Sequence, residues 1–103
     1  MEKVLKLGTN VFKEYCNDNN LDYDENKWNS IDGELYTFRI DIDGNLVGAS
    51  YEGIEFDPVD DTPLPSTPFK WKLIKELPIK REKNYIYFID KDIDVSRTRR
   101  AGT

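Results

Sequence analysis

The residues best placed to do chemistry in this chain are aspartates at alternate positions. Asp90-Lys91-Asp92-Ile93-Asp94 has the D-x-D-x-D opening of a calcium loop, whose oxygens converge on a hard cation. Further along the pattern fails, because Val95 stands where the turn needs glycine and Ala101 where a bidentate glutamate belongs. Asp41-Ile42-Asp43-Gly44-Asn45 is shorter still than such a loop. Both stretches read as turns, and no metal site is expected.

Nucleophilic chemistry fares no better. Gly48-Ala49-Ser50-Tyr51-Glu52-Gly53 has one residue too many for G-x-S-x-G, and it sits in hairpin sequence, not at a strand-to-helix turn. The chain has no histidine. That removes Ser-His-Asp and Cys-His nucleophiles, an imidazole base, and the common zinc and haem ligand sets. Cys16 is the sole cysteine, so no internal disulfide can form, and beside Phe12 and Tyr15 it reads as a small core side chain. Paired carboxylates can work without histidine, as in glycosidases, but nothing singles out one pair here. No catalytic residue and no cofactor are expected, and the chain is read as non-enzymatic.

Charge is the stronger signal. The total is −5, from 15 basic and 20 acidic residues. From Glu14 to Asp61 there are fourteen acidic residues against Lys27 and Arg39 alone, a local net of −12. Residues 62–83 carry +4, and Ser96–Thr103 adds +3 through Arg97, Arg99 and Arg100. One reading is a solvated acidic face that pairs with Lys70, Lys72 and Lys75 on a neighbouring strand. The other is a surface that docks on a basic patch of another macromolecule, with Asp41, Asp43, Glu52, Glu55, Asp57, Asp60 and Asp61 as its carboxylates. Regularly spaced carboxylates can also imitate a phosphate backbone. The expected partner is then a basic protein surface, such as that of a nucleic-acid-binding protein, and the expected role is that of an inhibitor or nucleic-acid mimic. The acidic middle argues against nucleic acid as a direct ligand, although Trp28, Trp71, Tyr85 and Tyr87 are of the type that stacks bases.

The elements that must position these groups follow from periodicity. Residues 3–16 have helical spacing, but Gly8 weakens it, so a short strand over 3–7 and a helix over 9–18 capped by Thr9 or Asn10 fits equally. Asn17-Asp18-Asn19-Asn20 ends the helix. Tyr36, Phe38, Ile40 and Ile42 alternate with polar residues as a strand, Asp43-Gly44-Asn45 turns, and Leu46–Phe56 returns. Four of the five prolines lie in 57–68, which reads as a loop with a minimal PxxP at Pro65–Pro68. Phe69–Lys75 is a third strand, Tyr85–Ile89 a fourth, apolar on both faces and read as central, and Ile93 and Val95 suggest a fifth before a basic tail at 98–103. The chain shows no internal repeat and no low-complexity run. The fold class is α+β: one domain over 1–103, with an N-terminal helix on a four- to five-stranded antiparallel meander. Lys6 interrupts the apolar start, so no signal peptide is read and the expected location is cytoplasmic, without membrane attachment.

Tyr87-Phe88-Ile89-Asp90-Lys91-Asp92-Ile93-Asp94-Val95-Ser96-Arg97 resembles the closing signature of the plastid lipid-associated (fibrillin) family, in which an aromatic and aliphatic pair leads into Asp-x-Asp, an aliphatic residue and Ser-Arg. Asp94 stands where that pattern has arginine, and Thr98 where it has glycine. The resemblance implies a lipocalin-like carrier of an apolar small molecule, and assigns no binding residue. A carrier of this kind, or a small subunit of a larger assembly, is the alternative to the acidic interaction protein.

Overall fold

Strand β1 (Glu2–Leu5) is followed by Gly8, whose φ of +73° turns the chain into helix α1 (Asn10–Asp18). This fold is a computed structural model that describes residues 1–62 and 69–100. The PxxP stretch and the last residues of the basic tail lie outside the described residues. Thr9 is the N-cap, but its side chain makes no capping bond, and its carbonyl accepts from the N–H groups of Phe12 and Lys13. At the other end Asn20 is left-handed, and the N–H of Leu21 reaches back to the Cys16 carbonyl at 2.8 Å. This is a Schellman closure, with asparagine in the place glycine usually takes. Val11, Phe12 and Cys16 form the buried face of the helix, which packs beside β5 (Lys72–Lys75).

The remaining strands are β2 (Ser30–Ile31), β3 (Glu34–Ile40), β4 (Leu46–Ser50), β6 (Tyr85–Ile89) and β7 (Val95–Arg99). They form two antiparallel sheets, ordered β2-β3-β4-β5 and β1-β7-β6. The α+β class with an N-terminal helix is the fold observed. The first sheet holds three strands of the expected meander with β2 added at its edge; the fourth and fifth strands, expected to continue that sheet, instead form the second one with the N-terminal strand. Tyr85–Ile89 is therefore not central: β7 is, and β6 is apolar on both faces because β3 stands along its other side. Arg97 and Arg99, assigned to the approach and start of a tail, belong to β7.

The two sheets contain the same three-stranded unit, a repeat that the residue types conceal. In one, Glu2, Lys3 and Leu5 pair with Arg97, Ser96 and Val95; in the other, Lys72, Leu73 and Lys75 pair with Gly48, Val47 and Leu46. Each pairing skips one residue, Val4 or Ile74, in a bulge at the same place. Each hairpin turn is held by its first aspartate. Asp41 Oδ1 accepts from the N–H groups of Asp43 and Asn45, and Asp90 Oδ1 from those of Asp92 and Asp94. The fifth turn residue then accepts from an incoming chain: Asn45 Oδ1 from Leu77 N–H at 3.1 Å, Asp94 Oδ1 from Leu7 N–H at 2.8 Å. Asp and Asn recur there because their short side chains can satisfy backbone donors within a turn.

The core between helix and sheets is filled by Phe12, Leu46 and Val95, each fully buried, with Val11, Ile40, Ile74, Leu77, Ile79 and Tyr87 around them. Cys16, Ile31 and Tyr36 make a second cluster. Gly48 is required opposite Phe38, since a Cβ there would lie 2.7 Å from the ring.

Candidate interaction surface

The seven carboxylates proposed from sequence fall into two groups, at opposite ends of β4. That strand is about 13 Å long at about 3.3 Å per residue. At the turn end, Asp41 is half-buried and occupied with backbone donors, while Asp43 is exposed. Arg81 donates to the carbonyls of Ile40 and Asp41 and lies over the Tyr87 ring, so this end has a cation of its own nearby.

At the far end, the chain leaves β4 through a tight reversal in which Ser50 Oγ accepts from Glu52 N–H at 3.0 Å and Ile54 N–H bonds the Tyr51 carbonyl. Asp57 then organises a second turn. Its Oδ1 accepts from Val59 and Asp60 N–H, its carbonyl accepts from Asp61 N–H, and its own N–H reaches the Thr62 carbonyl. Glu55, Asp60 and Asp61 are left exposed around this frame. Asp57 is thus a builder of the turn, and its neighbours are the charges the turn displays.

Glu52 has different company. It shares a hydrogen bond with Glu34 in a cavity of about 350 Å³, lined also by Tyr36, Ser50, Lys70 and Lys72. The bond raises the Glu52 carboxyl above its ordinary value, because Glu34 beside it opposes a second charge, and it lowers Glu34, which accepts the bond. This pair was not singled out from sequence. The signal available was the Asp32-Gly33 dipeptide: both residues have positive φ and they close β2 onto β3 in a two-residue hairpin, which brings Glu34 to the strand end.

Six ion pairs occur among the described residues. Lys3 holds Asp90, Asp92 and Asp94, Lys13 holds Glu25, and Arg97 holds Glu2 and Glu82. None involves an acidic residue between 41 and 61. The sequence from Ile40 to Phe69 contains no lysine or arginine. In the D-x-D-x-D turn, by contrast, the Lys3 ammonium sits 2.7, 2.9 and 3.5 Å from three carboxylates, in the role a cation would fill. No group of three or more metal-ligating side chains occurs among the described residues.

Beside the acidic reversal lies a cleft of about 590 Å³, lined by Trp28, Leu35, Phe38, Tyr51, Phe56, Asp61 and neighbours. The Trp28 ring stacks on Phe38 at 5.7 Å between centroids, and Phe38 leans on buried Phe12 at 4.6 Å. Tyr51 contacts Phe56 at 5.8 Å and meets Phe69 edge-on at 5.5 Å, which continues to Trp71 under the Arg39 guanidinium. Leu35 and Phe56 keep 41% and 38% of their surface exposed, which is much for residues on a packed frame. Tyr51 is half-buried and Phe56 exposed. A further cavity, of about 480 Å³ beneath α1, is lined by Cys16 and Tyr23. Burial disfavours the charged form of both and raises their pKa above ordinary values, so neither supplies an anionic nucleophile at neutral pH.

No family model, no curated protein and no solved structure matches the chain. No helix among the described residues is long and apolar enough to cross a membrane.

Proposed function

We propose that the protein is a non-catalytic interaction module that binds a basic surface of a macromolecular partner through the acidic reversal after β4. One observation carries this reading: Glu55, Asp60 and Asp61 stand exposed around one hydrogen-bonded turn with no ion-pair partner among the described residues, in a stretch from Ile40 to Phe69 that has no lysine or arginine. Unneutralised carboxylates on a hydrogen-bonded frame raise a negative potential that steers cationic partners and disfavours anionic ones. Asp43 supports the same field from the turn end. The partner class is a protein with a basic face, of the kind that handles nucleic acid, whose phosphate-binding surface such carboxylates could occupy as an inhibitor would.

The test is affinity capture from the native source with the wild-type chain and with a Glu55→Gln/Asp60→Asn/Asp61→Asn variant. A basic protein retained by the wild type, released by added salt and missing from the variant supports the reading. A partner bound equally by both chains and unmoved by salt contradicts it.

A further inference from the structure

The aromatic cleft beside the acidic reversal commits the partner to more than positive charge. We infer that it receives an arginine side chain of the partner, the guanidinium lying against Tyr51, Phe56 and Trp28 with Asp61 as its counter-charge; this rests on the reading proposed above. The wall residues supply flat apolar faces that are held from behind, since Trp28 stacks on Phe38 and Tyr51 is wedged between Phe56 and Phe69. Asp61 enters the same cleft, its backbone turned left-handed at φ +55° and bonded to the Asp57 carbonyl. A neutral apolar occupant would bring nothing to that carboxylate, and a lysine would meet it as a strongly hydrated point charge. A guanidinium satisfies both surfaces: it is planar and weakly hydrated, stacks on rings, and keeps donors in plane for a carboxylate.

The chain uses this chemistry on itself. Arg97 lies 4.0 Å from the Tyr85 ring centroid while its nitrogens bond Glu2, Glu82 and the Tyr87 hydroxyl. Arg39 and Arg81 lie over Trp71 and Tyr87. In the cleft the rings and the carboxylate are present, and none of these arginines is the one over Tyr51, Phe56 or Trp28.

The probe is acetylated hexaarginine amide, with hexalysine as the equal-charge control, added at low ionic strength to the ¹⁵N-labelled full chain. The indole N–H of Trp28 and the amides of Tyr51, Phe56 and Asp61 should shift saturably with hexaarginine. Hexalysine should bind several-fold more weakly and leave the Trp28 indole in place. Asp61→Asn and Phe56→Ala should each weaken hexaarginine about fivefold, from the ~1 kcal/mol scale of a cation–ring contact, with a dispersed spectrum verifying that each variant folds. If both peptides bind equally and shift acidic amides but not the Trp28 indole, the arginine site is wrong while the acidic surface stands. If neither peptide shifts any resonance, the acidic reading fails as well.

Discussion

The ammonium of Lys3 lies 2.7 Å from Asp90 Oδ2 and 2.9 Å from Asp92 Oδ2, tying the first strand to a turn 87 or more residues later. Asp90 is almost wholly buried, and its other contacts are the Ser96 hydroxyl and the turn's own N–H groups. A D-x-D-x-D sequence that resembles a cation loop is here an intramolecular lock that closes the second sheet.

The lock should set the acid limit of stability. Lys3, then Ser96, holds the Asp90 carboxyl well below its ordinary value of 3.8. A depressed carboxylate contributes stability that is present above that ordinary value and lost as pH falls below it. Asp90→Asn and Lys3→Ala should both lower the urea midpoint at neutral pH. Both should also flatten its decline at acid pH, whereas Lys6→Ala, which removes no ion pair, should do neither. A Lys3→Ala profile that parallels the wild type would contradict the assignment.

The two glycines at hairpin turns separate strain from space. Gly33 has φ +81° with open space around it, so Gly33→Ala should cost only the left-handed backbone penalty, about 1 kcal/mol. Gly44 has φ +84°, and an added Cβ would lie 2.0 Å from the Ile79 carbonyl oxygen. Gly44→Ala should therefore cost about 3 kcal/mol or more, the penalty plus overpacking. Equal losses in chemical denaturation would show that the turn does not press on residues 77–79 as described.

The raised carboxyl of Glu52 should make stability fall as pH rises, while its lowered neighbour Glu34 acts in the opposite sense. The raised Glu52 carboxyl stabilises the fold when protonated, so its contribution is present below the ordinary value of 4.5 and lost above it, through the folded value. Glu52→Gln keeps a donor toward Glu34 at every pH. Relative to the wild type it should gain stability between acid and neutral pH, read from urea midpoints. A constant difference across that range would rule out the shared proton.

Cys16 is 1% exposed, and burial raises its thiol. A disulfide reagent should label it in the native protein no faster than the chain unfolds, and rapidly in denaturant. Fast native labelling would show that the reagent reaches the thiol through the cavity under α1 without unfolding.

Local patterns were legible where one stretch of chain decides the outcome. Phe38–Leu46 alternates around Asp43-Gly44-Asn45 and forms the β3–β4 hairpin, Tyr85–Ile89 matches β6 to the residue, and the asparagines after Cys16 close the helix. What depends on distant partners was not. β1 pairs with β7 across nearly the whole chain, and nothing near Lys3 announces Asp90. The repeat does not show in residue types because it lies in backbone register and turn bonding: Gly44 corresponds to Ile93, left-handed at φ +61°, and Leu46 to Val95. The −12 segment was visible as charge, but its division into turn-building Asp41 and Asp57, paired Glu52, and exposed Glu55, Asp60 and Asp61 required the hydrogen bonds.

We propose that the exposed, unpaired carboxylates after β4 bind a basic partner. The most direct test is the affinity for the captured partner measured across a range of salt concentrations, for the wild type and for Glu55→Gln/Asp60→Asn/Asp61→Asn. Wild-type affinity should drop steeply with salt, and the variant should start weaker with a shallower slope, because screening acts on charges the variant lacks. Wild-type affinity that is indifferent to salt, or a variant slope equal to that of the wild type, would contradict it.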